Sequence, residues 1–262
     1  MQANFWHQRW EKNEIGFHLP DANPLLVKYF SKLQLKQGAC VFLPLCGKTL
    51  DIAWLLAQGY RVAGAELSVI AIEDLFKSLN LTPTVKTLGE ISHYSAVNID
   101  MYVGDIFKLS PAMLGVVDAV YDRAALVALP DEMRKSYTAH ILKLTNQAPQ
   151  LLICFEYDQT LCAGPPFSIG AHEVKQHYQA SYDVTILASE PLAGGLKGQC
   201  PAIENVWWLN PINAGSWAYA ITPFQKTQRV GLKPHTTSQH IYTRTTRLTK
   251  GTQKFSIALN DI

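Results

Sequence analysis

The stretch VFLPLCGKTLDIAWLL, residues 41–56, runs an apolar strand into a Gly-Lys-Thr turn and then into a helix. A turn of this kind opens an α/β unit and holds a ligand, and what it holds depends on its spacing. Gly47-Lys48-Thr49 spells the end of a Walker A loop, but the glycine that should stand five positions before it is Phe42. Without that glycine the backbone N–H groups do not curl around a phosphate. No G-x-G-x-x-G opens the helix either, so a dinucleotide pyrophosphate has no cradle.

Outward from this unit, strands and helices alternate. The runs ACVFLPL, RVAGAEL, IDMYVGD, GVVDAVYDR and PQLLICFEYD read as strands. TLDIAWLLAQGY, SVIAIEDLFKSLNL, LPDEMRKSYTAHILKLT and GAHEVKQHYQ carry helical periodicity, with Ser68 as an N-cap. Ahead of them NPLLVKYFSKLQL places Asn23 at an N-cap and Pro24 at the first helical position. Alternation of this kind predicts an α/β, doubly wound, mostly parallel sheet covered on both faces. YDVTILAS and AIENVWWL follow with only a Gly/Pro-rich loop between them, which suggests an antiparallel edge hairpin and brings the strands to seven.

The chain has 262 residues, 48% of them apolar and 10% aromatic, ample for a packed core. Its net charge of +2 is uneven: residues 1–210 hold sixteen Lys/Arg against twenty Asp/Glu, and residues 211–262 hold seven against one. The expected division is a main domain over 1–210 and a basic, threonine-rich extension over 211–262 that need not be ordered. Seven scattered basic residues are a weak nucleic-acid signal. An RNA-modifying enzyme that grips phosphate with this tail stays as an alternative, and no nucleic-acid partner is expected. Five cysteines without C-x-x-C spacing, and eight histidines without H-E-x-x-H, predict neither a disulfide framework nor a metal site. No apolar run approaches the length of a membrane span. The expected setting is a reducing cytoplasm with no membrane partner.

In open α/β sheets ligands bind past the carboxyl ends of the strands, at the point where strand order reverses. That rule selects Leu45, Glu66, Gly104-Asp105, Asp122-Arg123 and Glu156-Tyr157-Asp158. Glu66, nineteen residues past Gly47 at the end of the second strand, suits a ribose diol. NAD and S-adenosylmethionine both carry one, and the phosphate-free turn favours S-adenosylmethionine. A nicotinamide oxidoreductase remains the rival, and a solvated strand-end carboxylate the plainer reading. Trp6 and Trp10 share a helical face, either as core aromatics or with one indole over a sulfonium cation. Asp122 and Arg123 are either an ion pair or functional. Pro165-Pro166-Phe167 form a loop that shapes a pocket.

FWHQRW, GFH, FLPLCGK, GAELS, GDIF, YDRAALVALP and GPPF, in this order and spacing, closely resemble the thiopurine S-methyltransferase family, particularly its bacterial members, over residues 1 to about 210. The segment from Pro211 has no counterpart in that pattern. The resemblance implies a class I S-adenosylmethionine-dependent methyltransferase of Rossmann-like fold. It implies a cofactor site of Trp10, Leu45, Glu66 and Arg123, with Asp105-Ile106 beside the adenine. It also places Phe17 on the substrate side, with Arg123, Tyr157, Asp158 and Phe167 around the acceptor. The implied acceptors are thiopurines, other aromatic thiols, or selenium and tellurium species. The chain is expected to work as a monomer on small molecules.

Overall fold

Cys40–Pro44 is buried along its whole length, as a continuous apolar run flanked on both faces should be, and it forms the central strand β1. In the computed structural model, which describes residues 3–15 and 18–212, helices α1 (Ala3–Glu11) and α2 (Pro24–Tyr29) precede it. The chain continues through α3 (Asp51–Ala57), β2 (Arg61–Glu66), α4 (Val69–Ser78), β3 (Thr84–Leu88), β4 (Ile91–Ala96) and β5 (Ile99–Val103). Next come α5 (Pro111–Leu114), β6 (Ala119–Arg123), α6 (Asp131–Leu144) and β7 (Gln150–Tyr157). Helix α7 (Ala171–Tyr178) and strands β8 (Tyr182–Pro191) and β9 (Ala202–Pro211) complete the described chain.

The strands form one sheet in the order β3-β4-β5-β2-β1-β6-β7-β9-β8. The five from β5 to β7 run parallel. β9 returns antiparallel to β7 and β8 antiparallel to β9, the edge hairpin expected from the sequence. The α/β, doubly wound character holds, but the sheet has nine strands where the sequence suggests seven. The two additional ones, β3 and β4, lie beyond β5 as an antiparallel meander. All but the last residue of β3 are exposed, so it carries no apolar alternation to betray it. The remaining signal is Gly89-Glu90, a two-residue turn with Gly89 at φ +64° between the paired Leu88 and Ile91, a hairpin connection with glycine first.

Helix starts follow their caps. The Asn23 side chain accepts from the Leu25 and Leu26 N–H groups at 2.8 and 3.4 Å, with Pro24 at the first turn where its missing N–H costs nothing. Ser68 Oγ accepts from the Ala71 N–H at 3.3 Å and starts α4. One face of the sheet packs Phe42, Val120, Leu152 and Cys154 against Tyr137, Ile141, Val174 and Tyr178 of α6 and α7. The opposite face packs Val41, Leu43 and Tyr121 against Leu26, Ile52, Leu55, Ile72 and Leu75 of α2, α3 and α4. Each such fully buried aliphatic side chain is worth about 1.5–3 kcal/mol relative to exposure. Asp51 fastens this second layer from within: it accepts from the Asn23 N–H at 2.6 Å and from the Tyr121 hydroxyl at 3.1 Å. Residue 210, after which the sequence divides the chain, lies within β9, and the tail from residue 213 lies outside the described residues.

Candidate functional site

Strand order reverses between β1 and β6, since β1 turns to β2 on one side and β6 to β7 on the other. Both switch strands end in strained backbone. Leu45, just past β1, sits at φ +46°, and Ala124, just past β6, at φ +67°. A side chain in this left-handed region costs about 1–2 kcal/mol and persists where the surroundings over-determine it.

After Leu45 the turn is tied down by a carboxylate. Gly47 at φ +56° donates its N–H to Glu66 Oε2 at 2.7 Å, and the Ser68 N–H donates to Glu66 Oε1 at 2.8 Å. Glu66 is 6% exposed, which removes the solvated strand-end reading. Burial pushes its pKa up, opposed by the N–H groups of Ser68, Gly47 and Leu67. A carboxylate has about four lone-pair directions in all, so with three N–H groups drawing on it one stays open for a ligand hydroxyl. A Cβ added at Gly47 would come within 2.9 Å of the Trp10 ring, so the indole lies directly on this turn and is itself buried. Lys48, the residue that would reach a phosphate in a Walker A loop, is paired to Asp74 of α4 at 2.7 Å, with its ammonium 5.9 Å from the Trp10 ring centroid. The first N–H and the cation of Gly47-Lys48-Thr49 are thus both occupied by carboxylates. The turn fits a phosphate-free nucleoside bearing a free diol, as S-adenosylmethionine does.

Beside it, Gly104 donates its N–H to the Glu66 carbonyl at 2.9 Å and leads the chain past the tip of β5. Asp105 is exposed and caps the short turn Ile106–Lys108, accepting from the Phe107 N–H at 3.0 Å. Ile106 is buried, and its carbonyl lies 2.8 Å from His140 Nε2. A carbonyl only accepts, so that nitrogen carries the proton; burial lowers the pKa of His140 and keeps the ring neutral.

At the tip of β6, Asp122 and Arg123 are not the ion pair that adjacency suggests. Neighbours on a strand point to opposite faces. Asp122 enters the α6 side, where it is fully buried and accepts from the Tyr137 hydroxyl at 2.7 Å and the Leu126 N–H at 3.1 Å. Arg123 takes the other face and makes no hydrogen bond or ion pair with a described residue. Its charge, with that of Lys48, adds to burial in holding the His18 pKa down, and it opposes the desolvation that raises the pKa of the half-buried Glu204 of β9. Arg123, Lys48 and His18 therefore gather on the face that carries Trp10 and Glu66. Phe17 lies outside the described residues.

Past β7, Tyr157 donates its N–H to Ser168 Oγ at 2.9 Å and its hydroxyl to the Pro166 carbonyl at 2.6 Å. Phe167 packs on Gly164, which has no room for a Cβ there, and its N–H donates to the Val127 carbonyl at 2.6 Å. That bond joins the loop after β7 to the loop after β6. Asp158 is exposed, and its Oδ1 accepts from both the N–H and the hydroxyl of Thr160 at 2.9 and 2.7 Å, closing a local turn. Trp10 and Glu66 meet at the Gly47 turn, two residues past Leu45, whose side chain packs into the core on the α6 and α7 side; Asp105-Ile106 and Arg123 stand at the tips of the flanking strands, with Tyr157 and Phe167 further along the same sheet end. Asp158 is the predicted residue whose acceptor capacity is already engaged. His18, Asp122 and Ala124 are additions that sequence reasoning missed or misread. Among the described residues no group of three or more metal-ligating side chains stands together, and no helix is long and apolar enough to cross a membrane.

Comparison with known proteins places this geometry in a family. A family model described as Thiopurine S-methyltransferase (TPMT) matches residues 1–197. The chain is 56% identical over 210 residues to a thiopurine S-methyltransferase of Xanthobacter autotrophicus, covering 80% of this chain and 99% of that one. It is 46% identical over 214 residues to one of Gluconobacter oxydans, covering 82% and 97%. Among solved structures it resembles a Burkholderia thailandensis 1,6-didemethyltoxoflavin-N1-methyltransferase with bound S-adenosylhomocysteine, at TM-score 0.55 and 15% identity over 79% of this chain and 87% of that one. A SAM-dependent methyltransferase of Anabaena variabilis gives TM-score 0.52 at 19% identity, over 79% and 95%. At such identities the structural likeness shows the fold.

Proposed function

Because this chain belongs to the thiopurine S-methyltransferase family, we propose that it moves the methyl group of S-adenosylmethionine to the sulfur of thiopurines or other aromatic thiols, and to reduced selenium or tellurium species. The observation that carries the donor half is the buried Glu66 carboxylate, held by the Gly47 and Ser68 N–H groups and left with acceptor capacity for a ligand hydroxyl. Glu66 would hold the ribose diol and Trp10 would close the turn beneath the ligand. Leu45 would present strained backbone to it, with Asp105-Ile106 lining the base. A nicotinamide oxidoreductase, the rival reading of Glu66, needs a pyrophosphate cradle, and the first N–H and the cation of this turn are already committed.

Bound S-adenosylmethionine supplies an activated methyl group on a sulfonium. What remains for the protein is alignment. Holding donor and acceptor in attacking geometry is worth about 7–11 kcal/mol. A thiolate is a strong nucleophile without a general base, so no catalytic acid or base is assigned. Arg123 gives the crevice a positive charge that suits an anionic acceptor, beside a Lys48 already neutralised by Asp74 and a His18 held neutral by burial and these cations. Tyr157 and Phe167 supply its aromatic wall, with Phe17 and Asp158 at its margin. We read the working form as a cytoplasmic monomer acting on small molecules, without metal or nucleic acid.

A panel of acceptors with methyl-labelled donor tests this: 6-mercaptopurine, thiophenols, and selenite and tellurite each pre-reduced with excess thiol, with matched phenols and amines and a thiol-only control. Label on the sulfur or chalcogen acceptors alone is the expected result. Transfer to the oxygen and nitrogen analogues instead would overturn the acceptor reading, and absence of any heat on titration with S-adenosylhomocysteine would overturn the donor reading.

A further inference from the structure

The strand that brings Arg123 to the crevice carries a second ionisable group, which the reaction does not touch. Asp122 lies on the α6 face, fully buried, between two anchors. Its Oδ2 takes the Tyr137 hydroxyl at 2.7 Å, and its Oδ1 takes the Leu126 N–H at 3.1 Å. Arg123 and the left-handed Ala124 at φ +67° stand between the strand and that captured N–H, just before the short turn Leu126–Ala128. Alanine does not hold this conformation unaided. A carboxylate that seizes the N–H four residues ahead of itself, while a tyrosine from α6 pins its other oxygen, supplies the constraint. The same turn carries the Val127 carbonyl that receives the Phe167 N–H at 2.6 Å, so the constraint reaches the loop after β7 as well.

Closing a turn does not require a buried acid. Asparagine or serine caps turns without a charge, and an ionised carboxyl group deep in a protein is costly unless paired. Asp122 has no ion pair among the described residues, and burial raises its pKa to about 6, so at neutral pH the group is charged and works against the fold. Two firm anchors, a strained neighbour and a charge that costs stability mark a group retained for placement.

We propose that Asp122 is a positioning residue for methyl transfer: by clamping Tyr137 and the Leu126 N–H it fixes the backbone of Arg123 and Ala124 and so aims the Arg123 guanidinium into the crevice. This rests on the reading of Arg123 as a site residue given above.

The test is a double-variant cycle in the full-length enzyme. Asp122→Asn, Arg123→Ala and the double variant are compared for kcat/KM with an acceptor that the wild type turns over. The cycle is repeated on affinity for S-adenosylhomocysteine by calorimetry, a readout that needs no acceptor. Asp122→Asn is expected to keep the wild-type circular dichroism and lose about tenfold in kcat/KM, within the range that a small misplacement costs. The same change made in the Arg123→Ala background is expected to cost nothing more. A Tyr137→Phe variant, which removes one anchor and leaves the carboxylate, should show a smaller loss that also vanishes without Arg123. It serves as the test if Asp122→Asn does not fold. Equal losses with and without Arg123 would overturn the positioning role while leaving Arg123 in the site. An Arg123→Ala variant with wild-type kcat/KM and affinity would overturn the reading of Arg123 itself.

Discussion

Replacing Glu66 by glutamine separates what this carboxylate does for the fold from what it does for the ligand. Both of its oxygens already accept backbone N–H groups, from Gly47 at 2.7 Å and Ser68 at 2.8 Å. An amide keeps one acceptor and turns an NH2 toward the other N–H, leaving a buried donor unsatisfied at about 1–3 kcal/mol. That penalty is the same with and without ligand, so it appears in stability and not in affinity. It is partly offset because the raised pKa of Glu66 marks a charge that burial disfavours. The net expectation is a melting temperature lowered by at most about 12 °C, at roughly 2–4 °C per kcal/mol for a domain of this size. Affinity is governed by the acceptor capacity that the backbone N–H groups leave open. Converting one oxygen to NH2 removes one charge-assisted bond to a ribose hydroxyl, about 1.5–3 kcal/mol, which is roughly 10–150-fold in Kd. Calorimetric titration with S-adenosylhomocysteine beside a thermal melt reads both quantities on the same preparation. If Kd stays within twofold while the melting temperature falls, Glu66 is a clasp between two loops and the assignment of the donor pocket is wrong.

Three further expectations can be checked in the same way. Because the folded pKa of Asp122 is raised from 3.8 to about 6, its contribution favours the fold below the unfolded pKa and is lost as pH rises through the folded one. At 1.36 kcal/mol per unit this amounts to about 3 kcal/mol, so melting temperatures of Asp122→Asn minus wild type should climb between pH 4 and pH 7, and a flat difference would refute the shift. Gly47→Ala combines a left-handed backbone with a Cβ 2.9 Å from the Trp10 ring; a loss of about 2–4 kcal/mol in denaturant unfolding, with altered tryptophan fluorescence, is expected, and wild-type stability would contradict the packing. Asp158→Ala removes a carboxylate already engaged by Thr160. The KM for the acceptor should move by less than about threefold, as for an exposed turn residue, and a larger change would give Asp158 a direct substrate contact.

Most of the scaffold is written in local patterns. The apolar run of β1, the Asn23 and Ser68 caps and the alternation of strands with helices lead to the sheet, and the Gly47-to-Glu66 interval leads to the donor side. What escapes is whatever depends on contacts distant in sequence or on backbone that no residue type announces. β3 is missed because its side chains face water and its pairing with β4 carries the information instead. Ala124 takes a left-handed conformation that an alanine gives no reason to expect. Asp122 beside Arg123 looks like a pair in one dimension; only the pleat of the strand, and Tyr137 fifteen residues on, show that they face apart. The two readings of Trp10 also draw together once a partner is seen, since the indole is buried and at the same time lies on the Gly47 turn, the proposed donor site.

The bond between Lys48 and Asp74 has a consequence for life in a crowded cell. Adenine nucleotides with phosphate tails vastly outnumber most other adenine-bearing molecules, and each could intrude wherever adenine and ribose are welcomed. A lysine already spoken for, next to an N–H already taken, offers those tails no handhold. On the proposed reading of this turn, abundant impostors should not clog the enzyme, whose discrimination would come from withholding a contact.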